Sequence, residues 1–95
     1  MKLIWSEFAK EALSDIFKYY KKAAGIKVAT KIKADIFIST KQLVNQPFSG
    51  QIEMTLEQLG EGPRYLVCGN YKIVYKQVEE GILISDVFNT RQNPI

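Results

Sequence analysis

Apolar residues recur every four positions from residue 8: Phe8, Ala12, Ile16 and Tyr20, with Leu13 and Phe17 beside them. That spacing draws a single stripe along a helix. Ser6 stands where an N-cap belongs, and Glu7 suits the positive end of the helix dipole. Lys18, Lys21 and Lys22 suit its other end, and Gly25 is a natural stop. A second helix is expected over 26–45, with Ala29, Ile32, Ile36 and Leu43 on one face and Thr40 between them. The run Ile36-Phe37-Ile38 alone would pass for a strand, but its Lys-Ala-Asp and Thr-Lys-Gln flanks favour helix. Pro47 and Gly50 end it. So short a connection folds the two helices into an antiparallel hairpin.

The rest of the chain alternates. Residues 2–5 read as a first strand, with Trp5 assigned to the core rather than to a binding site. Over 51–63, Met54, Leu56 and Leu59 fit a strand or a helical turn, and Gly60, Gly62 and Pro63 mark a loop. RYLVCGNYKIVYK, residues 64–76, reads as strand, tight turn at Gly69-Asn70, strand. A second turn at Glu80-Gly81 joins 71–79 to 82–88. With two-residue turns, Cys68 opposes Tyr71, Leu66 opposes Ile73 and Arg64 opposes Tyr75. On the next ladder Tyr75 opposes Asp86 and Ile73 opposes Phe88.

One face then carries Leu66, Cys68, Tyr71, Ile73, Tyr75, Ile82, Ile84 and Phe88 and belongs against the helices, with Arg64 and Asp86 flanking Tyr75 as an ion pair. The other carries Tyr65, Val67, Lys72, Val74, Lys76, Leu83, Ser85, Val87 and Asn89, with Arg91 just beyond. Valines among cations and amides describe either a face that a partner covers or the ordinary second face of a small sheet. The fold class expected is α+β: an N-terminal strand, then a two-helix antiparallel hairpin packed on a mainly antiparallel sheet completed by two C-terminal β-hairpins. The 95 residues make one domain.

Composition narrows the chemistry. The chain has no histidine and one cysteine, Cys68, which removes Ser-His and Cys-His nucleophile pairs, imidazole metal sites and any intramolecular disulfide. A lone thiol suits a reducing cytoplasm. No apolar run approaches the ~20 residues that span a bilayer, so no membrane partner is expected. The net charge is +3, unevenly spread: nine lysines against four carboxylates in residues 1–50, four cations against six carboxylates in 51–95. The basic half reads as a contact for nucleic acid or an acidic protein, or as a solvated helix face.

The order strand–helix–helix–strands, the Gly-x-Tyr-Lys-Ile-x-Tyr hairpin at Gly69–Tyr75, the strand ILISDVF and the spacing from Val87 to Arg91 in the ending NTRQNP together resemble the RelE/ParE family of bacterial toxins. The resemblance covers nearly the whole chain. It implies a toxin made beside an antitoxin that wraps and silences it. RelE-like members cut messenger RNA on the ribosome; ParE-like members poison DNA gyrase without chemistry of their own.

RNA cleavage of that kind needs a base for the 2′-hydroxyl, cations for the crowded phosphate and an acid for the leaving oxygen. The nuclease branch carries lysines before the hairpin turn, where this chain has Pro63, Arg64, Tyr65 and Leu66. It has arginine after the tyrosine that follows the turn; here that residue is Lys72, which keeps the charge and loses the bidentate fork. Arg91 is retained, and no tyrosine follows Tyr75. The resemblance therefore leans to the ParE branch.

No catalytic residue, metal or cofactor is assigned. Tyr65, Lys72, Lys76, Asn89 and Arg91 are expected to form a target- or antitoxin-binding face, with Arg91 alternatively only closing the end of the sheet. The expected partners are a cognate antitoxin and DNA gyrase in the cytoplasm. The alternative partners are the ribosome and mRNA, with Lys72, Lys76 and Arg91 as cations and Tyr65 as acid or base. A third reading is a degenerate toxin kept as an antitoxin sink. The antitoxin is expected to set apolar anchors between helix hairpin and sheet and acidic residues against the lysine-rich helices.

Overall fold

Ser6 is where strand turns into helix, and three hydrogen bonds fix that corner. Its Oγ accepts the Ala9 N–H at 3.0 Å, the expected N-cap, which contributes about 1 kcal/mol. Its N–H donates to the Ile84 carbonyl at 2.9 Å, and its Oγ donates to the Ser85 carbonyl at 3.3 Å. The structure, a computed structural model, describes residues 2–47, 50–52 and 63–90.

Strand β1, Lys2–Trp5, runs into α1, Glu7–Ala24. The ties at Ser6 set the rotation of the first helical turn. Ala9 and Leu13 are therefore the buried residues of α1, and Phe8, expected to open the stripe, is 65% exposed. Gly25 alone separates α1 from α2, Ile26–Lys41. Its φ of +97° reverses the chain in a single residue, which only glycine does without strain. The expected second helix divides: α2 ends at Lys41, and a tighter 3-10 turn covers Gln42–Val44. Ala29, Ile36, Thr40 and Leu43 are buried along it as the pattern predicts. The Thr40 hydroxyl donates to the Phe37 carbonyl at 2.6 Å, which satisfies the one buried polar side chain among these.

Four more strands follow: β2, Gln51–Ile52; β3, Arg64–Cys68; β4, Tyr71–Val78; and β5, Gly81–Asn89. The sheet order is β1-β5-β4-β3-β2, parallel between β1 and β5 and antiparallel elsewhere. The α+β architecture is the one expected. Met54, Leu56, Leu59, Gly60 and Gly62 lie outside the described residues.

The first hairpin has the predicted register, Cys68 to Tyr71, Leu66 to Ile73 and Arg64 to Tyr75. Gly69 has φ +59° and Asn70 a negative φ, the pattern of a turn with glycine at its first central position. The second hairpin departs from expectation in two ways. Its turn is Glu79-Glu80, because Val78 pairs with Gly81. Gly81 is the first residue of β5, where β1 passes so close that a Cβ would overlap the Lys2 carbonyl. The glycine serves a close backbone approach rather than a turn.

Second, the ladder slips by one between Val74 and Tyr75, leaving Ser85 as a bulge whose hydroxyl donates to the Val74 carbonyl at 3.3 Å. Before the bulge Tyr75 pairs with Ile84, and beyond it Ile73 pairs with Val87. A one-residue slip exchanges faces. Val87 is therefore buried, and Phe88 pairs with Lys72 on the opposite face. Asp86 likewise leaves the helix side, so the ion pair expected with Arg64 does not form: the two stand on opposite faces. The Arg64 guanidinium instead donates to the Gly50 carbonyl at 2.9 Å.

The core joins Ala9, Leu13, Ile36 and Leu43 to Tyr71, Ile73, Tyr75, Ile82, Ile84 and Val87. Each fully buried isoleucine contributes about 1.5–3 kcal/mol. Tyr75 is fully buried, with a polar tip that is spoken for: its hydroxyl donates to the Pro47 carbonyl at 3.0 Å and accepts the Gly50 N–H at 2.8 Å. The described helices thus pack on one face of the sheet.

Candidate functional site

On the sheet face turned away from the helices, β3 contributes Tyr65 and Val67, β4 contributes Lys72, Val74 and Lys76, and β5 contributes Leu83, Asp86 and Phe88. The Lys72 ammonium stands 4.0 Å above the centre of the Tyr65 ring. A contact of that kind contributes about 0.5–1 kcal/mol at an exposed site and presents charge and aromatic surface as a unit. Val67 opposes Lys72 across the ladder and is 62% exposed. Lys76 is exposed and pairs with Leu83. The face is an apolar strip that carries two cations, Lys72 and Lys76, and one carboxylate, Asp86.

Three of the five expected site residues share this face: Tyr65, Lys72 and Lys76. Asn89 does not. The bulge turns it to the helix side, where it pairs with Tyr71 and its side chain hydrogen-bonds the Tyr71 hydroxyl. Arg91 lies outside the described residues. Phe88, expected in the core, takes a place on this face opposite Lys72.

Tyr71 belongs to an aromatic cluster at the C-terminal end of α1. The Tyr20 and Tyr71 rings meet edge to face at 6.5 Å, and Tyr19 meets Tyr20 at 5.0 Å. Burial pushes the Tyr71 hydroxyl well above its usual pKa, helped by a hydrogen bond with Tyr20 and by the charge Tyr20 would carry.

A second feature lies at the sheet edge. Between β1 and the helix pair runs a groove of about 730 Å³, floored by Leu3, Trp5, Leu13, Phe17 and Phe37. Lys2, Lys10 and Lys33 rim it, with Glu80 the one carboxylate among the described lining residues. Lys33 sits over the Phe17 ring at 5.3 Å, and Lys41 over Phe37 at 5.4 Å. The Ser6 N–H points to β5, so by alternation along a parallel strand Leu3 and Trp5 turn their backbone groups to the other edge of β1, where no described strand pairs. Trp5, assigned to the core from sequence, does pack against the core; it is partly buried and also lines this groove. The signal available was its position on a first strand, which needs a neighbour on one side only.

Among the described residues no helix is long and apolar enough to cross a membrane. A family model described as "ParE toxin of type II toxin-antitoxin system, parDE" matches residues 3–94. No curated protein matches the chain. Among solved structures, the chromosomal ParDE TA system from P. aeruginosa is similar: TM-score 0.77, 22% sequence identity, covering 94% of this chain and 95% of that one.

Proposed function

Because this chain belongs to the ParE toxin family and is the toxin of a ParDE-type toxin-antitoxin pair, we propose that it inhibits DNA gyrase by docking through the outer sheet face, and that its antitoxin neutralises it from the groove beside β1. The observation that supports the first part is Lys72 poised over Tyr65 in a largely apolar sheet face that neither described helix covers. Aromatic and cationic anchors set among aliphatic residues are the usual energetic centre of a protein contact. Gyrase as target places the action in the cytoplasm, on DNA that the enzyme has already cut.

The groove supports the second part. Its apolar floor and three rim lysines suit a segment that carries apolar anchors and acidic residues and orders on binding. Charge steers such a segment in, and buried apolar contact retains it.

Purified chain added to a gyrase supercoiling reaction tests the target. Dose-dependent loss of supercoiled product, relieved by antitoxin, is expected. Full supercoiling at saturating chain overturns the gyrase reading.

Ribosome-dependent RNA cleavage is the second reading, favoured by Tyr65 and Lys72 being in contact. Against it stand the lysine in place of a forked arginine and the lack of a lysine in β3. Intact transcripts in a translating extract would dismiss it.

A further inference from the structure

Trp5 is the single tryptophan of the chain. Its ring stacks on Phe37, centroids 6.1 Å apart and planes 19° from parallel, in the wall of the groove beside β1. Its indole nitrogen is shut off from solvent and donates to no acceptor among the described residues. Buried donors are ordinarily paired, so this one calls for a physical reason.

The surroundings supply it. Phe37 is 42% exposed and Lys33 lies on the surface of α2, and side chains at a binding surface commonly change rotamer on contact. The lysine rim suits an acidic segment, and the edge of β1 that no described strand pairs suits an extended one. Folding has already stripped the indole N–H of water. An incoming acceptor therefore gains the bond without first displacing solvent from the donor.

We propose that Trp5 is a specificity-determining residue: the antitoxin segment that fills this groove supplies the missing acceptor, a backbone carbonyl or a carboxylate, to the indole N–H. The inference rests on the reading of the groove as the antitoxin's seat. A segment with apolar anchors but no acceptor at that point gains only the apolar contact. Trp5 thus discriminates among antitoxins of similar hydrophobicity.

The test uses the full chain and, as probe, the purified antitoxin encoded by the adjoining reading frame. Trp5→Phe keeps a ring against Phe37 and removes the donor. It is expected to weaken binding about tenfold or more. Lys33→Glu, which leaves the indole donor in place and reverses a rim charge, should weaken binding through charge. If Lys33→Glu weakens binding and Trp5→Phe leaves it unchanged, the Trp5 inference falls and the groove reading stands. If neither variant changes affinity, both fall. The wild-type chain gives an independent measurement, because a ¹⁵N-labelled sample has one indole N–H resonance. A downfield shift of that proton with slowed exchange in the complex supports the bond, and an unmoved resonance overturns it even if Trp5→Phe fails to fold.

Discussion

Gly81 meets Lys2 backbone to backbone, and no side chain fits between them. Gly81 also has φ +150°, a conformation foreign to residues with a Cβ. Gly81→Ala is expected to push β1 off β5 and to destabilise the chain by about 2 kcal/mol or more. Urea unfolding should show a lower midpoint, and faster hydrogen exchange at the Ser6 amide should localise the damage. An unchanged midpoint would refute the close approach.

Tyr75 closes a second junction. Its hydroxyl bridges the Pro47 carbonyl and the Gly50 N–H, while Arg64 holds the Gly50 carbonyl. Tyr75→Phe leaves those backbone groups short of partners and is expected to lower stability by about 1–3 kcal/mol. The Gly50 amide should lose most of its exchange protection; retained protection would show that the hydroxyl is dispensable.

Tyr71 links stability to alkaline pH. Burial, then Tyr20, raises its folded pKa above the ordinary value of about 10. The folded chain therefore keeps this proton when the unfolded chain has lost it. The contribution is complete below about pH 10 and fades as pH rises through the higher folded value. Tyr71→Phe removes that fade, so its stability should fall less than the parent's between about pH 10 and pH 12. Parallel curves for parent and variant would contradict the assignment.

Lys72 and Tyr65 should matter for target and little for fold. Both are only partly buried and lie away from the helices. Lys72→Ala and Tyr65→Ala are each expected to shift stability by less than about 1 kcal/mol while raising the dose needed to inhibit supercoiling about tenfold. Because the two touch, the double variant should lose less than the product of the single losses. A strictly multiplicative result would mean that the pair does not act as a unit.

Val87 and Phe88 test the bulge. Val87 is 2% exposed and Phe88 lies on the partner-facing side. Val87→Ala should cost about 1–3 kcal/mol and Phe88→Ala less, although phenylalanine is the larger residue. The reverse ranking in urea midpoints would restore the register that the sequence suggests.

The helices, the first hairpin and the succession of elements along the chain were legible because each is written locally: a four-residue stripe, a capping serine, a glycine at a turn. The second hairpin was misread at Gly81 because a glycine needed for a close approach looks identical to one needed for a turn. The bulge at Ser85 had no local mark, since its register is set by how β5 meets both β1 and β4. That single unmarked slip moved Asn89 out of the candidate site and Phe88 into it. Trp5 was half legible: its size announced burial, but the absence of an acceptor for its nitrogen emerges only in three dimensions.

The bulge also changes how this chain must be mutated or redesigned. Upstream of Ser85 the even-numbered residues of β5 point inward; downstream the odd-numbered ones do. A polarity scan or a grafted loop that carries one parity through the whole strand would turn half of it inside out. Removing Ser85 alone would bring the strand into a single phase, and the choice of which aromatic or aliphatic group greets a partner would change with it.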